Sequence, residues 1–318
     1  MRDPRVTSIR RALPRMSWAP KNLFNLWQRS ASDGLKKTEL NFQGRSIPLF
    51  RQRWISKTVV RAYHGDLINE KIFKRWYLPD YLPDVRPRRK VFGDDKGQLQ
   101  EFAKRRQKEK EEEEGEEAKG LAPIGSLMFA EVERRLDVLI FRACFAHSIY
   151  EARRLVVHGN VLLNGKRHYN ANTRLAPGDM FSVKPDAMKI LRPQKTEGES
   201  DDVTAHSSAP PGLTPFNLPF YASPWIFVPA YLEVSFPTCS AVYVRHPTAR
   251  PQYSEIPTPY DADGDVIRLA WEWYIMRRPR MRTETQWSKM PDDRLRRQMM
   301  EMRLQNNSLR LAQLAIKL

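Results

Sequence analysis

The stretch SLMFAEVERRLDVLIFRACFAHSIYEARRLVVHGNVLLNGKRHYNANTRLAPGDMFSVK, residues 126–184, decides the fold. Leu127, Val132, Leu136, Leu139, Ile140 and Cys144 recur near helical spacing and predict one amphipathic helix of about four turns. Ser148 and Glu151 match a capping box, in which the hydroxyl takes an amide at the helix start and the carboxylate reaches back. The second helix buries Ile149, Ala152, Leu155 and Val156, turns Arg153 and Arg154 outward, and stops at Gly159 in the left-handed region. Val161–Leu163 then precedes Asn164-Gly165, the strongest dipeptide signal for a two-residue hairpin. Pro177-Gly178 predicts another tight turn, and Phe181–Lys184 alternates as a half-buried strand. Two helices on a small curved sheet result. The candidate ligand-facing residues of this unit are Arg134, Arg135, Arg153, Arg154, His158, Asn160, Asn164, Lys166 and Arg167.

The ligand such a face suits follows from charge. The 318 residues carry a net charge of +17, which favours a polyanion: nucleic acid or an acidic membrane surface. Residues 1–90 are net +14 and 126–195 net +6, while 91–125 and 196–240 are net −3 and −5. The run Val203–Leu232 has no charged residue, yet its prolines (Pro210, Pro211, Pro215, Pro219, Pro224 and Pro229) exclude a spanning helix. It reads as an extended strap, and no membrane partner is expected. With Cys144 and Cys239 alone, a disulfide framework and a four-thiolate zinc site are excluded. Cys144 and His147 have ligand-like spacing without a second pair, so they read as a buried thiol and a helix-end histidine. No phosphate-cradling glycine loop, dinucleotide fingerprint or zinc-protease helix is present, and no cofactor or metal is expected.

Outward from the central block, residues 1–60 read as a basic N-terminal arm. Its first 30 residues hold seven basic groups against one acid, with Trp, Phe and Leu interspersed. That composition suits mitochondrial import and equally an arm lying on RNA backbone, and the mature chain is expected to keep it. Residues 61–125 read as a helical domain with a charged insert (EFAKRRQKEKEEEEGEEAK, 101–119), and 126–195 as the binding domain. Residues 196–230 form an acidic, proline-rich linker strap, 231–283 return to the helical domain, and 284–318 are a C-terminal helix extension, its one helix running from a Ser288 cap to Leu318. The fold class is α+β: a small two-helix, curved-sheet domain inserted in a mainly helical one, with long extensions.

The strings RRLD (134–137), SIYEAR (148–153), HGNVLLNGK (158–166) and PGD (177–179), in that order, resemble the S4-type RNA-binding domain. The flanks GSLMFAEVERRLD, PAYLEVSF (229–236) and AVYVRHPTARPQYSEIPTPYDADGDVIRLAWEWY (241–274) resemble ribosomal small-subunit protein four. The extensions and basic arm resemble that family's mitochondrial form. The resemblance implies a non-enzymatic constituent of the mitochondrial small ribosomal subunit that binds and organises small-subunit ribosomal RNA. It further implies neighbours of small-subunit protein families five and three and a place by the messenger RNA entry region. The alternative is an RNA-modifying enzyme or free RNA-binding factor using the same domain for targeting. Some pseudouridine synthases carry a catalytic Asp in a string like that around Asp137. Here Asp137 lies inside the binding domain, no separate catalytic domain is found, and Asp137 is expected to pair with an arginine on the helix surface.

Overall fold

A computed structural model describes residues 13–30, 40, 42, 47–82, 122–188, 228–250, 253–262, 264–279 and 283–303. Residues 1–12, the Glu-rich insert, the linker and strap up to residue 227, and residues 304–318 lie outside these. The helices are α1 (Pro20–Ser30), α2 (Leu49–Tyr63), α3 (Glu70–Ile72, continued by a π turn Phe73–Tyr77) and α4 (Ala130–Glu133). They continue as α5 (Leu136–Arg142), α6 (Ile149–Val157), α7 (Asp265–Met276) and α8 (Glu284–Trp287). Strands β1 (Val161–Leu163), β2 (Lys166–Arg167), β3 (Met180–Val183), β4 (Leu232–Ser235) and β5 (Ser240–Tyr243) form an antiparallel sheet in the order β2-β1-β3-β5-β4. A separate hairpin joins β6 (Ala249–Arg250) to β7 (Tyr253–Ser254). The class is α+β.

The turn chemistry lies where the sequence put it. Asn164 (φ +49) and Gly165 (φ +79) make the β1–β2 turn, Gly178 (φ +88) the second turn, and Gly159 (φ +70) ends α6. The single helix expected over 127–144 is instead broken. Ile124–Phe129 is a 3-10 turn, α4 follows, and Arg135 is extended at ψ 140° before α5 resumes. The cause is pairing with a distant segment: Leu136 N–H donates to the Thr173 carbonyl (2.9 Å), and Leu175 N–H donates to the Arg134 carbonyl (2.8 Å). Every residue of α5 is buried, so the helix is enclosed rather than amphipathic. Val138, Phe141 and Cys144 face a core shared with α2 and α7, while Leu136, Leu139 and Ile140 face the core under the sheet. The Ser148 hydroxyl accepts from Glu151 N–H (3.2 Å), but the Glu151 carboxylate reaches one residue further back, to His147 N–H (3.1 Å). Ser148 is held there by a bridge to Ser17, with Ile149 N–H donating to the Met16 carbonyl (3.1 Å).

That bridge corrects the arm. Met16 and Trp18 are buried, Trp18 meets Phe141 edge-on (6.3 Å between centroids), and α2 packs along α7, joined by Arg53 and Glu272 (2.9 Å). Residues 13–30 and 47–63 are therefore packed on the folded core, through Met16, Trp18, Val59 and Val60. Apolar side chains among the arginines, Met16 and Trp18 especially, favour burial over solvation. The segment 231–283 also divides: β4 and β5 extend the sheet through Phe181↔Ala241, while Ala249, Ile256, Tyr260 and α7 join the core shared with α2. Ser288 closes α8 as its C-cap instead of starting a helix. Helix resumes at 294–303, capped by Asp293, whose Oδ1 accepts from Leu295 N–H (3.1 Å).

One buried ionic cluster ties these pieces together. Glu133 accepts from Arg142 Nε and Nη2 (both 3.0 Å), from the Tyr231 hydroxyl (2.9 Å) and from His64 Nδ1 (3.2 Å). Burial alone would raise the Glu133 carboxyl, but Arg142 and His64 outweigh it and bring it from 4.5 to about 2. Burial lowers His64 below 6.5, so its ring is neutral and Nδ1–H donates. Both groups bind fewer protons folded than unfolded, so stability is full above pH 6.5. It falls as unfolded-state histidine protonates, then falls again as pH drops through 4.5 towards 2. His168 and His246 move in the same direction as His64, and Asp179 and Glu255 as Glu133. Thermal melts between pH 8 and 3 should show this two-stage decline, with the upper stage reduced in His64→Asn. A flat profile from pH 7 to 5 would contradict it.

Candidate nucleic-acid interface

The candidate residues separate by burial. Arg134 and Arg135 are not surface groups. Arg134 pairs with Glu131 (2.8 Å) and Asp293 (2.9 Å), and its Nε–H donates to the Leu175 carbonyl (3.0 Å). Burial opposes its charge, but the two carboxylates outweigh that and raise it above its ordinary value. Arg135 donates to Asp137 (2.6 and 2.9 Å), the Tyr77 hydroxyl (2.8 Å) and Asn172 Oδ1 (2.8 Å). The expectation that both face a ligand is corrected: each lies at the break before α5, where its head is enclosed by Glu131 and the distant Asp293 for Arg134, and by Asp137, Tyr77 and Asn172 for Arg135.

Asp137 does pair with an arginine, but inside the protein rather than on a helix surface. It is fully buried, accepts from Arg135 and from Arg153 (3.2 Å), and takes Val138 N–H at 2.9 Å. Cys144 is buried too, which pushes its thiol up to about 12 and keeps it protonated. Arg153 is partly exposed, yet its guanidinium is engaged by Asp137 and by Asn172 Oδ1 (2.8 Å). Asn164 is likewise engaged: its Nδ2 donates to Asp179 (2.8 Å) and its Oδ1 accepts from Met180 N–H (2.9 Å). Its amide shapes the turn.

The remaining candidates form an open face. Arg154 is exposed, with one exposed pairing to Glu151 (3.0 Å), worth little in water. His158, Lys166 and Arg167 are exposed and Asn160 is half-buried. Among the described residues Lys166 and Arg167 have no carboxylate partner. These groups sit on and just after α6 and on the β1–β2 hairpin, at the β2 edge of the sheet.

Residues that the sequence reading missed frame this face. Arg174 reaches Glu131 (2.7 Å) and Asp293 (3.0 Å), and its backbone pairs with the C-terminal segment. Arg174 N–H donates to the Asp292 carbonyl and Arg294 N–H to the Arg174 carbonyl, both at 3.0 Å. Arg294 holds Asp179 (3.1 Å), while Thr173 donates to Asp292 (3.3 Å). Burial lowers His168, with Arg294 and Arg297 adding to the effect, so the C-terminal segment lies beside the hairpin base. Only the Asp of PGD at 177–179 hinted at this clamp. Asp293→Ala removes a helix cap and leaves Arg134 and Arg174 short of a carboxylate, so it should cost about 1–3 kcal/mol locally. Trypsin should then cut at Arg294, Arg296 and Arg297 faster than in the parent chain. Equal cleavage rates would mean that the clamp is not stabilising.

Comparison with known proteins agrees with this architecture. Residues 134–181 match the S4 domain family. A small ribosomal subunit protein uS4m of Schizosaccharomyces pombe is 28% identical over 302 residues, covering 85% of this chain and 80% of that protein. The uS4m of Reclinomonas americana is 35% identical over 146 residues, 46% of this chain and 50% of its own length. The uS4 of Rickettsia conorii is 33% identical over 113 residues, covering 36% of this chain and 52% of that protein. Residues 134–181, with α5, α6 and strands β1 and β2, thus carry an S4 domain. More narrowly, of these relatives, those it resembles over the greatest length are small ribosomal subunit proteins uS4m.

Proposed function

We propose that the chain is a structural constituent of the mitochondrial small ribosomal subunit, where it binds and organises small-subunit ribosomal RNA during assembly and translation. The observation that carries this reading is the open cationic face of the S4 domain, where Arg154, Lys166 and Arg167 stay exposed while neighbouring arginines are enclosed. The naming of its relatives as small ribosomal subunit proteins supports the setting. His158 and Asn160 sit at the same face and are assigned RNA contacts with them. Arg134, Arg135, Arg153 and Asn164 act one layer behind, holding the break, α6 and the turn in place. The work is charge neutralisation and shape recognition of folded RNA through phosphates and 2′-hydroxyls, with no reaction catalysed.

Small-subunit proteins of families five and three as neighbours, and a place by the messenger RNA entry region, belong to the same proposal. So does residence in the mitochondrial matrix. Sedimentation tests the core of it: the chain should co-migrate with the mitochondrial small subunit after a high-salt wash. Release into the top fractions would favour a free RNA-binding factor or an RNA-modifying enzyme.

A further inference from the structure

We infer that Tyr169 is a stacking platform for one unpaired nucleobase, seated where α6 ends and the sheet begins. The inference rests on the ribosomal-RNA reading above and names the element of that RNA which the face takes. Tyr169 follows β2 and is 60% exposed. Its ring nevertheless lies against Gly159, where a Cβ would come within 2.7 Å of Tyr169 Cε1 and 3.3 Å of Cζ. Gly159, at φ +70, is thus doubly required: by the left-handed helix stop and by the ring lying on it.

The backbone beneath the ring is fixed on all sides. Asn160 N–H donates to the Leu155 carbonyl (3.0 Å), Lys184 N–H to the Asn160 carbonyl (2.9 Å), and His168 N–H to the Val161 carbonyl (3.1 Å). Among the described residues the Tyr169 hydroxyl has no hydrogen-bond partner, so nothing in the fold accounts for leaving this ring exposed. An aromatic ring held on one side and open on the other offers a base a π-face at low entropic cost.

The surroundings select the ligand class. His158, Asn160 and Lys184 lie at or next to the same junction, and Lys166 and Arg167 precede the ring by three and two residues. Lys166, Arg167 and Lys184 suit the phosphates on either side of an extruded nucleotide, with the Asn160 amide as a neutral hydrogen-bonding group. Bases within an RNA helix are stacked on one another and not free to meet the ring, so the ligand is a bulged or loop nucleotide.

The test uses the full chain and an in vitro transcript of the mitochondrial small-subunit ribosomal RNA from the same source, titrated at several salt concentrations. Tyr169→Phe should bind as the parent does. Tyr169→Leu should bind about 5- to 150-fold more weakly, the range for one lost base stack, with an unchanged salt slope because no charge is removed. Both variants should melt with the parent, since an exposed side chain is altered. Acylation of 2′-hydroxyls should show one unpaired nucleotide that is protected by the parent and by Tyr169→Phe and is reactive with Tyr169→Leu. Equal affinity and equal protection for the Leu variant would overturn the inference. So would loss of co-sedimentation by that variant with transcript affinity intact, which would mean that a protein covers the ring. A parent chain with no salt-dependent affinity for the transcript would overturn the ribosomal reading itself, and this inference with it.

Discussion

Glu133→Gln should destabilise the protein by about 3–5 kcal/mol, the scale seen when one partner of a buried ion pair is removed. The substitution keeps shape but strips the negative charge that faces the fully enclosed Arg142. Arg142 would then hold its charge with no carboxylate, against neutral acceptors only: the new amide oxygen, the Tyr63 hydroxyl (3.2 Å) and the Pro257 carbonyl (3.1 Å). Urea unfolding of the full chain measures the loss, and a second variant separates charge from packing. In Glu133→Gln combined with Arg142→Met, no uncompensated cation remains, and much of the stability should return. A cost under about 1 kcal/mol for the single change would show that water reaches the cluster, against the burial described above.

The second large effect is on RNA. With Arg154, Lys166 and Arg167 all changed to Ala, affinity for the small-subunit transcript should fall on the order of a hundredfold at 0.1 M salt. The log–log salt slope should shrink by about two, if each cation meets one phosphate. All three are exposed, so melting should change little. Arg153 is left out deliberately. Its guanidinium holds Asp137, and Ala there would confound binding with folding. Parallel salt plots for parent and triple variant would mean that this face meets solvent or protein.

How far the sequence foretold these sites depends on where each residue finds its partner. Gly159, Asn164-Gly165, Pro177-Gly178 and the Ser148 cap were legible because their chemistry is decided within a few residues. Arg134 and Arg135 were not. Whether an arginine is a ligand or a strut depends on Asp293, Tyr77 and Asn172, far away in sequence and brought near only by folding. The break before α5 was hidden for the same reason, since a partner at 173–175 wins the backbone bonds that helical periodicity assigned locally. The arm was read on composition: its basic residues suggested an arm lying on RNA backbone, while Met16 and Trp18 among them anchor it in the core. The exposure of Arg154, His158, Lys166 and Arg167 was legible because their neighbours in sequence are also their surroundings in space, and their contact with RNA is the proposal made above.

The pairing of β3 with β5 bears on how this chain is made. Met180–Val183 hydrogen-bonds on one side to Val161–Leu163, and on the other to Ser240–Tyr243. As the nascent polypeptide emerges, the first pairing closes early, but β3 keeps a bare edge until some 60 further residues have been synthesised. Throughout that interval the unfinished sheet is a template for any other extended segment nearby. A fragment cut at residue 184 would carry the same open edge permanently. The unit that leaves the exit tunnel with its sheet complete is therefore larger than the S4 match at 134–181, and it closes only when Tyr243 has arrived.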